Sequence, residues 1–454
     1  MDGERESAER QGAPWSGPLR FAFRFFFIYL ILYIFPSPLT YIPWAGAKLD
    51  QFWTVLKRGA VVPVGRTVFG VDITVFPGGS GDTTYNYVEL FVFAVAALLG
   101  AAVWALVDRR LRFGPALLSG LRVYVRYTLG LTLFTYGIVK IIKTQFPTPD
   151  AYRLSTEFGD LSPMGLLWAF MGYSYGYNLF AGLAEAGAGL LLFYRRTTLL
   201  GSIVGAGVMS NVVALNFFYD VPVKLFSAHL LLQCFFLMAP DFPRLMNLLV
   251  LNRPVAPSPR LSAFATPWLH WTWFGVKTAV LGLVVSFGAF QTAQSYFAFG
   301  GGARNLPITG LYRVETFVAD GQERPPLTTD ESRWRDVVIG RVAPWDGLGT
   351  FRVRTMTGGS EWFRFRYDED GARITLVGVR QGPGRVPGGT PGAGGEEEPV
   401  EHEIVFSRAE DGALILEGNV NGRALRTVLR ERPVQEFPLM SRGFRWINEY
   451  PFNR

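Results

Sequence analysis

Lys140, Glu185, Asn211, Asn216, Asp220, Lys224 and His229 stand inside or beside long apolar runs. An ionisable side chain in a lipid-spanning helix is costly, so each of these needs a partner or a purpose. The densest stretch is Asn211 to Pro240, NVVALNFFYDVPVKLFSAHLLLQCFFLMAP, in which two apolar segments meet at a short turn. Tyr136 lies one helical turn before Lys140, and Asp220 one turn before Lys224, so each pair shares a helix face. An imidazole that titrates near neutrality, a carboxyl group and amine donors are what proton-coupled handling of a quinone-like head group requires. On that reading Glu185 and His229 handle protons, while Tyr136, Lys140, Asn211, Asn216, Asp220 and Lys224 hold the ligand, with quinone as the cofactor. The plainer reading has Lys140, Lys143 and Lys224 snorkelling to the interface and Asp220 capping the helix ahead of Pro222. Glu185, Asn211 and His229 are then hydrogen-bonding glue between helices.

The elements that must position these residues are apolar segments of membrane-spanning length. They run near 20–36, 87–107, 123–142, 166–194, 199–218, 222–239 and 274–291, each close to the roughly 20 residues a helix needs to cross the hydrocarbon core. Seven spans are expected. Arg5, Arg10, Arg20, Arg109, Arg110, Arg112, Arg122, Arg195, Arg196, Arg244, Arg253 and Arg260 then all fall on one side, which the positive-inside rule makes the cytoplasm. The amino terminus is inside and everything after about Tyr296 is outside. The loop 38–86 faces outward, and its glycines are expected to break it into short extended pieces, either capping the bundle or lying on the membrane surface. The run at 20–36 sits where a signal peptide would, but no small-residue cleavage site follows, so it reads as a retained span.

Composition sets the class. A chain of 454 residues that is 49% hydrophobic, with mean hydropathy +0.20, is too apolar for an ordinary soluble protein and too charged to lie wholly in lipid. A helical membrane domain, 1–297, followed by an extra-membrane domain, 305–454, is the expected organisation. The charge of +7 comes from 44 basic and 37 acidic residues, and loop orientation accounts for it without nucleic acid. Cys234 is the single cysteine, so no intramolecular disulfide or CxxC relay exists, and it reads as a small buried hydrophobe. His229, His270 and His402 lack the spacing of a zinc site.

From Asn305 the texture becomes short alternating runs, such as Trp362-Phe363-Arg364-Phe365-Arg366-Tyr367, separated by Gly- and Asp-rich turns. Eight antiparallel strands are expected, as a small up-and-down barrel or a sandwich. A small barrel can enclose an apolar ligand or be filled by its own side chains. The segment 381–399 is low-complexity Gly/Pro sequence and reads as a mobile loop. The aromatic tail after Ser441 is expected to pack back on the protein.

The block from Leu121 to Pro240 resembles the DoxX-like family of bacterial membrane proteins. The resemblance is carried by Arg126-Tyr127-Thr128-Leu129-Gly130, Tyr136-Gly137-Ile138-Val139-Lys140, Ala184-Glu185-Ala186-Gly187-Ala188-Gly189 and the Asn211 to Pro240 stretch. The whole chain, with its ending Arg442-Gly443-Phe444-Arg445-Trp446-Ile447-Asn448-Glu449-Tyr450-Pro451, is similar to longer members that carry an extra-membrane β-domain. The resemblance implies a four-helix core and a link to membrane redox complexes, quinone-dependent sulfur oxidation or oxidative-stress defence. This chain has no CxxC pair with which to run a thiol relay.

Two functions follow. One is a binding or scaffold protein of the bacterial inner membrane, with its β-domain periplasmic or extracytoplasmic, that holds a lipid-like ligand or docks envelope partners. The other is a quinone-linked component of a membrane oxidoreductase complex, with a redox protein as partner. Membrane lipids are partners in both.

Overall fold

The computed structural model describes residues 15–42, 45–73, 80–111, 114–256, 305–343, 346–368, 372–378 and 401–443, together with scattered positions between 268 and 294 and between 445 and 449. The seventh apolar segment, 274–291, lies largely outside the described residues, as do the Gly/Pro-rich loop 381–399 and the tail after Arg442. The chain divides into two compact units, one formed by Met1–Gly137 with Leu183–Phe287 and the other by Ile138–Gly182 with Gly288–Arg454.

The protein is a membrane protein by the length and composition of its helices. Among the described residues five are long and apolar enough to cross a membrane: Gly17–Ile34, Thr84–Val107, Tyr175–Phe193, Arg195–Phe218 and Lys224–Val250. In chain order the helices of the amino-terminal half are α1 (Gly17–Ile34), α2 (Ala45–Val68), α3 (Thr84–Val107), α4 (Gly114–Ile141), α5 (Ala151–Ser155), α6 (Pro163–Tyr173), α7 (Tyr175–Phe193), α8 (Thr198–Phe218) and α9 (Lys224–Met238). The expected span at 123–142 is the C-terminal part of the 28-residue α4, whose Arg122, Arg126 and Lys140 keep it out of the purely apolar set.

Two elements differ from the sequence expectation. The segment 166–194 is two helices, because Ser174 is extended and its hydroxyl accepts the Tyr177 N–H at 3.2 Å, starting α7 afresh. The loop 38–86 contains a 24-residue helix, α2, which runs through Gly59, Pro63 and Gly65. Propensity alone breaks a helix at such residues, but here the helix packs on α3 through the Lys57–Glu89 ion pair, at 2.7 Å.

Within the first unit, Leu30, Leu121, Val125, Leu129, Leu133, Ala188, Leu192, Met209, Leu230, Cys234 and Leu237 form one buried cluster. Close approach of α4 and α7 depends on glycine. A Cβ on Gly189 would lie 2.6 Å from the carbonyl oxygen of Gly130, a contact no real side chain tolerates.

The second unit holds a closed β-barrel. Its strands are β1 (Gly310–Ala319), β2 (Gln322–Glu323), β3 (Trp334–Ile339), β4 (Leu348–Thr355), β5 (Ser360–Asp368), β6 (Arg373–Gly378), β7 (Glu401–Arg408), β8 (Leu414–Val420) and β9 (Arg423–Glu431). Eight of them, β1 and β3 to β9, pair antiparallel with their neighbours, and β9 returns to β1, so no edge is left open. The two-residue β2 folds back on β1 through Asp320-Gly321, and Asn421-Gly422 joins β8 to β9. Both pairs have positive φ throughout, as the tightest hairpins demand. The interior is filled by the barrel's own side chains, among them Trp334, Phe351, Phe363, Phe365, Leu376, Leu416 and Leu429. A lipid-enclosing barrel is thereby replaced by a packed one.

On β4 even the alternate face is covered. Arg352 and Arg354 are 4% and 6% exposed. The Arg352 guanidinium is stacked between the rings of Tyr152 and Trp362, and Arg354 donates to the Ser155 carbonyl and to Thr156 Oγ1. Arg335 adds an ion pair to Glu157 at 3.5 Å. Three arginines of the barrel wall therefore hold the 152–157 segment.

Candidate functional site

His229 stands in the second turn of α9 and is held on three sides. Its Nδ1 lies 2.7 Å from the Leu225 carbonyl oxygen, one turn earlier. A carbonyl can only accept, so Nδ1 carries the hydrogen, and in the neutral ring Nε2 is left as an acceptor. Tyr29 of α1 supplies the matching donor, with its hydroxyl 2.7 Å from Nε2. The ring face stacks on Tyr33, centroids 3.9 Å apart at 13°. Phe25, Tyr29 and Tyr33 recur every four residues along α1, stacked at 5.8 and 6.4 Å, so the histidine ends an aromatic ladder.

The first turn of α9 is closed from outside its own sequence. Val223, at the N-cap, offers no side-chain acceptor. The carboxylate of Asp82, from the turn before α3, accepts the backbone N–H of Lys224 at 2.7 Å and of Leu225 at 3.0 Å. Gly81 N–H adds a bond to the Pro222 carbonyl at 2.8 Å. The same turn starts α3 through a capping box in which Thr83 and Asn86 exchange bonds. One loop thus fixes the starts of two helices.

Beside it lies a pair of polar residues on each of α2 and α3. Trp53 and Lys57 share one face of α2, and Tyr85 and Glu89 share one face of α3. Lys57 Nζ reaches Glu89 Oε1 at 2.7 Å, an ion pair that engages that oxygen. Trp53 Nε1 and Tyr85 Oη are both buried and make no hydrogen bond to a described residue. Tyr33 has Tyr29, Glu89, Asp82 and Tyr136 as electrostatic neighbours, which joins this group to the His229 cluster. Two orphaned donors cost about 1–3 kcal/mol each unless something pairs with them.

The residues anticipated from sequence divide accordingly. Lys224 and His229 belong to this region, and Tyr136 packs on Phe226 of α9 with ring centroids 6.0 Å apart. Asn216 is buried near the end of α8, and its carbonyl accepts the Val221 N–H at 3.0 Å. Asp220 does not cap α9. It takes a left-handed conformation, φ 51°, as the residue that terminates α8, and its carboxylate pairs with Lys224 at 2.8 Å on the surface. Asn211 is exposed, so the structure does not bring it into the cluster. Glu185 is buried on α7, and both ring nitrogens of His229 are engaged, by Tyr29 and Leu225. Lys140 is buried in the last turn of α4. Lys143 follows the end of α4. It donates to Thr148 and to the Gly172 carbonyl near the end of α6, at 2.9 and 2.7 Å.

Sequence reasoning missed Tyr29, Tyr33, Trp53, Asp82, Tyr85 and Glu89. The signals were present as four-residue spacings: Phe25/Tyr29/Tyr33, Trp53/Lys57 and Tyr85/Glu89. Each reads alone as ordinary aromatic or interfacial sequence.

Comparison with known proteins returned one informative relative. An uncharacterized protein of Bacillus subtilis (strain 168), YwoB, is 30% identical over 139 residues, which is 30% of this chain and 87% of YwoB. No family model matches the chain, and no solved structure matches it. The chain belongs to the same family as YwoB.

Proposed function

We propose that this member of the YwoB family is a membrane-embedded binding protein that holds the polar head of an amphiphile among α1, α2, α3 and α9. The observation that carries the reading is the pair of orphaned buried donors, Trp53 Nε1 and Tyr85 Oη, beside the Lys57–Glu89 ion pair and next to the His229–Tyr29–Tyr33 cluster. Two unused donors suit a head group with accepting oxygens, as a hydroxylated or carbonyl-bearing lipid has. The Lys57–Glu89 ion pair lies beside it, and the aromatic ladder of α1 supplies an apolar wall. A DoxX-like core is proposed for the bundle on the sequence motifs already given.

The arginine-rich ends of the helices are assigned to the cytoplasm, so the chain would lie in the bacterial cytoplasmic membrane with the barrel outside. The packed barrel interior supports a docking role for this domain rather than a second lipid site.

One contact favours quinone as the amphiphile and a place in a redox complex. Tyr29 and His229 form a hydrogen-bonded donor–acceptor pair that can pass a proton when a quinone is reduced or oxidised. The test is solvent extraction of protein purified in mild detergent, with the extract identified by mass spectrometry. A stoichiometric amphiphile that is depleted in Tyr85→Phe and His229→Ala is expected. An extract without it, or one unchanged in both variants, overturns the reading.

A further inference from the structure

The opposite end of α9 carries a second group of charges that the proposed head-group site does not use. Arg122 and Arg126 lie one turn apart on α4. Arg122 Nη2 reaches the Leu237 carbonyl in the last turn of α9 at 3.3 Å and Asp241 Oδ2 at 3.6 Å. Asp241 is already held by Arg244 at 2.6 Å. Arg126 is 8% exposed and donates from Nη1 to Thr198 Oγ1 at 3.3 Å, at the start of α8. The turn that leads into α8 carries Arg195, and Arg122, Arg126 and Arg195 are mutual electrostatic neighbours.

Arg195 is exposed and Arg122 half-buried, but a buried guanidinium such as that of Arg126 is costly without a counter-charge. Asp241 faces Arg122 and Arg244, but no carboxylate is among the electrostatic neighbours of Arg126. Its Nε is buried and makes no hydrogen bond to a described residue. The guanidinium also lies over the Tyr127 ring, 4.9 Å from its centroid, and the donor left over, Nε, fits an oxygen of a tetrahedral oxyanion. Val123, next to Arg122 in sequence, and Leu200, in the first turn of α8, are exposed apolar side chains, a surface suited to acyl chain.

We propose that Arg122, Arg126 and Arg195 form a binding site for a phosphate group, the head group of an anionic phospholipid or a free phosphate, between the ends of α4, α8 and α9. Arg126 provides the buried donor, Arg122 and Arg195 the surrounding charge, and Asp241 holds Arg122 and Arg244 in place. A basic pocket between helices is a recurrent way to hold an anionic lipid head group.

The experiment is native mass spectrometry of the full-length protein released from nanodiscs of phosphatidylcholine doped with phosphatidylglycerol, alongside titration of the delipidated protein with inorganic phosphate read as a thermal shift. The expected result is retained phosphatidylglycerol, with occupancy lowered about fivefold per arginine in Arg122→Gln and in Arg195→Gln. Arg126→Lys keeps the buried charge and guards against a folding failure, and should lower retention while leaving the unfolding temperature close to wild type. A thermal shift with inorganic phosphate that Arg126→Lys abolishes, without lipid retention, identifies the free ion as the ligand. Equal phosphatidylglycerol retention in wild type and all three variants, with no phosphate-induced shift, overturns the proposal. The outcome is separable from the head-group site, because none of these residues touches His229, Tyr85 or Glu89.

Discussion

The carboxylate of Asp82 closes the first turn of the helix that begins at Lys224, although 142 residues separate the two in sequence. A helix N-terminus exposes unpaired N–H groups and a partial positive charge, so an anion placed there both bonds and neutralises. Asp82→Ala is expected to destabilise the protein by about 1–2 kcal/mol, seen as a lower unfolding temperature in detergent. Asp220→Gly should not lower it. The exposed Asp220–Lys224 pair is worth at most about 1 kcal/mol, and glycine relieves the left-handed backbone at that position.

The hydrogen-bond pattern of His229 fixes its tautomer. Nitrogen-15 spectra of histidine-labelled protein should show one histidine with hydrogen on Nδ1, and that signal should vanish in His229→Ala. In Tyr29→Phe the buried Nε2 loses its donor, and a destabilisation of about 1–2 kcal/mol is expected. A ring protonated on Nε2 in the wild type would contradict the arrangement.

In the barrel, Asp330 sets a pH dependence. The Ser332 hydroxyl, helped by the Ser332 and Arg333 N–H groups and by Arg324, holds its carboxyl below the usual carboxylate range. A depressed folded-state pKa stabilises above the unfolded value, near 4, and that contribution is lost as pH falls through the folded value. The unfolding temperature of Asp330→Asn should therefore lie below wild type at pH 7, and the two should converge as the pH falls below about 4. A gap that persists at low pH would assign the effect to packing instead.

Arg352 is the pin that holds the 152–157 segment. Burial pushes its pKa down to about 9, against the opposing pull of Tyr152. Stacking between two aromatic rings offsets part of the desolvation, at about 2 kcal/mol for a buried cation–π contact. Arg352→Ala should free the segment, and limited trypsin digestion should then cut after Arg153 faster than in wild type. Unchanged cleavage would mean that Arg354 and Arg335 suffice.

Gly189 and Gly187 make a paired test of helix packing. Gly189→Ala forces a methyl against the Gly130 carbonyl and should cost about 1–3 kcal/mol. Gly187→Ala meets nothing within 4 Å, and should be neutral or stabilising by up to about 1 kcal/mol. Thermal unfolding of the two variants in the same detergent decides it.

The apolar runs and alternating strands were legible in the chain because helix and strand periodicities act over a few residues. That is why 20–36, 199–218 and the run from Phe363 to Phe365 appear in the structure much as read. The break at Ser174 and the helix through Gly59, Pro63 and Gly65 were not legible. Each depends on a single capping bond or on packing against α3, and such contacts override propensity. The site followed the same division. Lys224 and His229 stood out because charge in apolar sequence is costly wherever it falls. Their partners Asp82, Tyr29 and Tyr33 looked ordinary, because only the packing of α1 and α3 against α9 gives them a role. Sequence alone determined that this is a membrane chain with a β-domain and a row of polar residues in need of partners. Tertiary structure decided which partners those are, since hydrogen bonds between distant segments depend on helix packing that local periodicity does not encode.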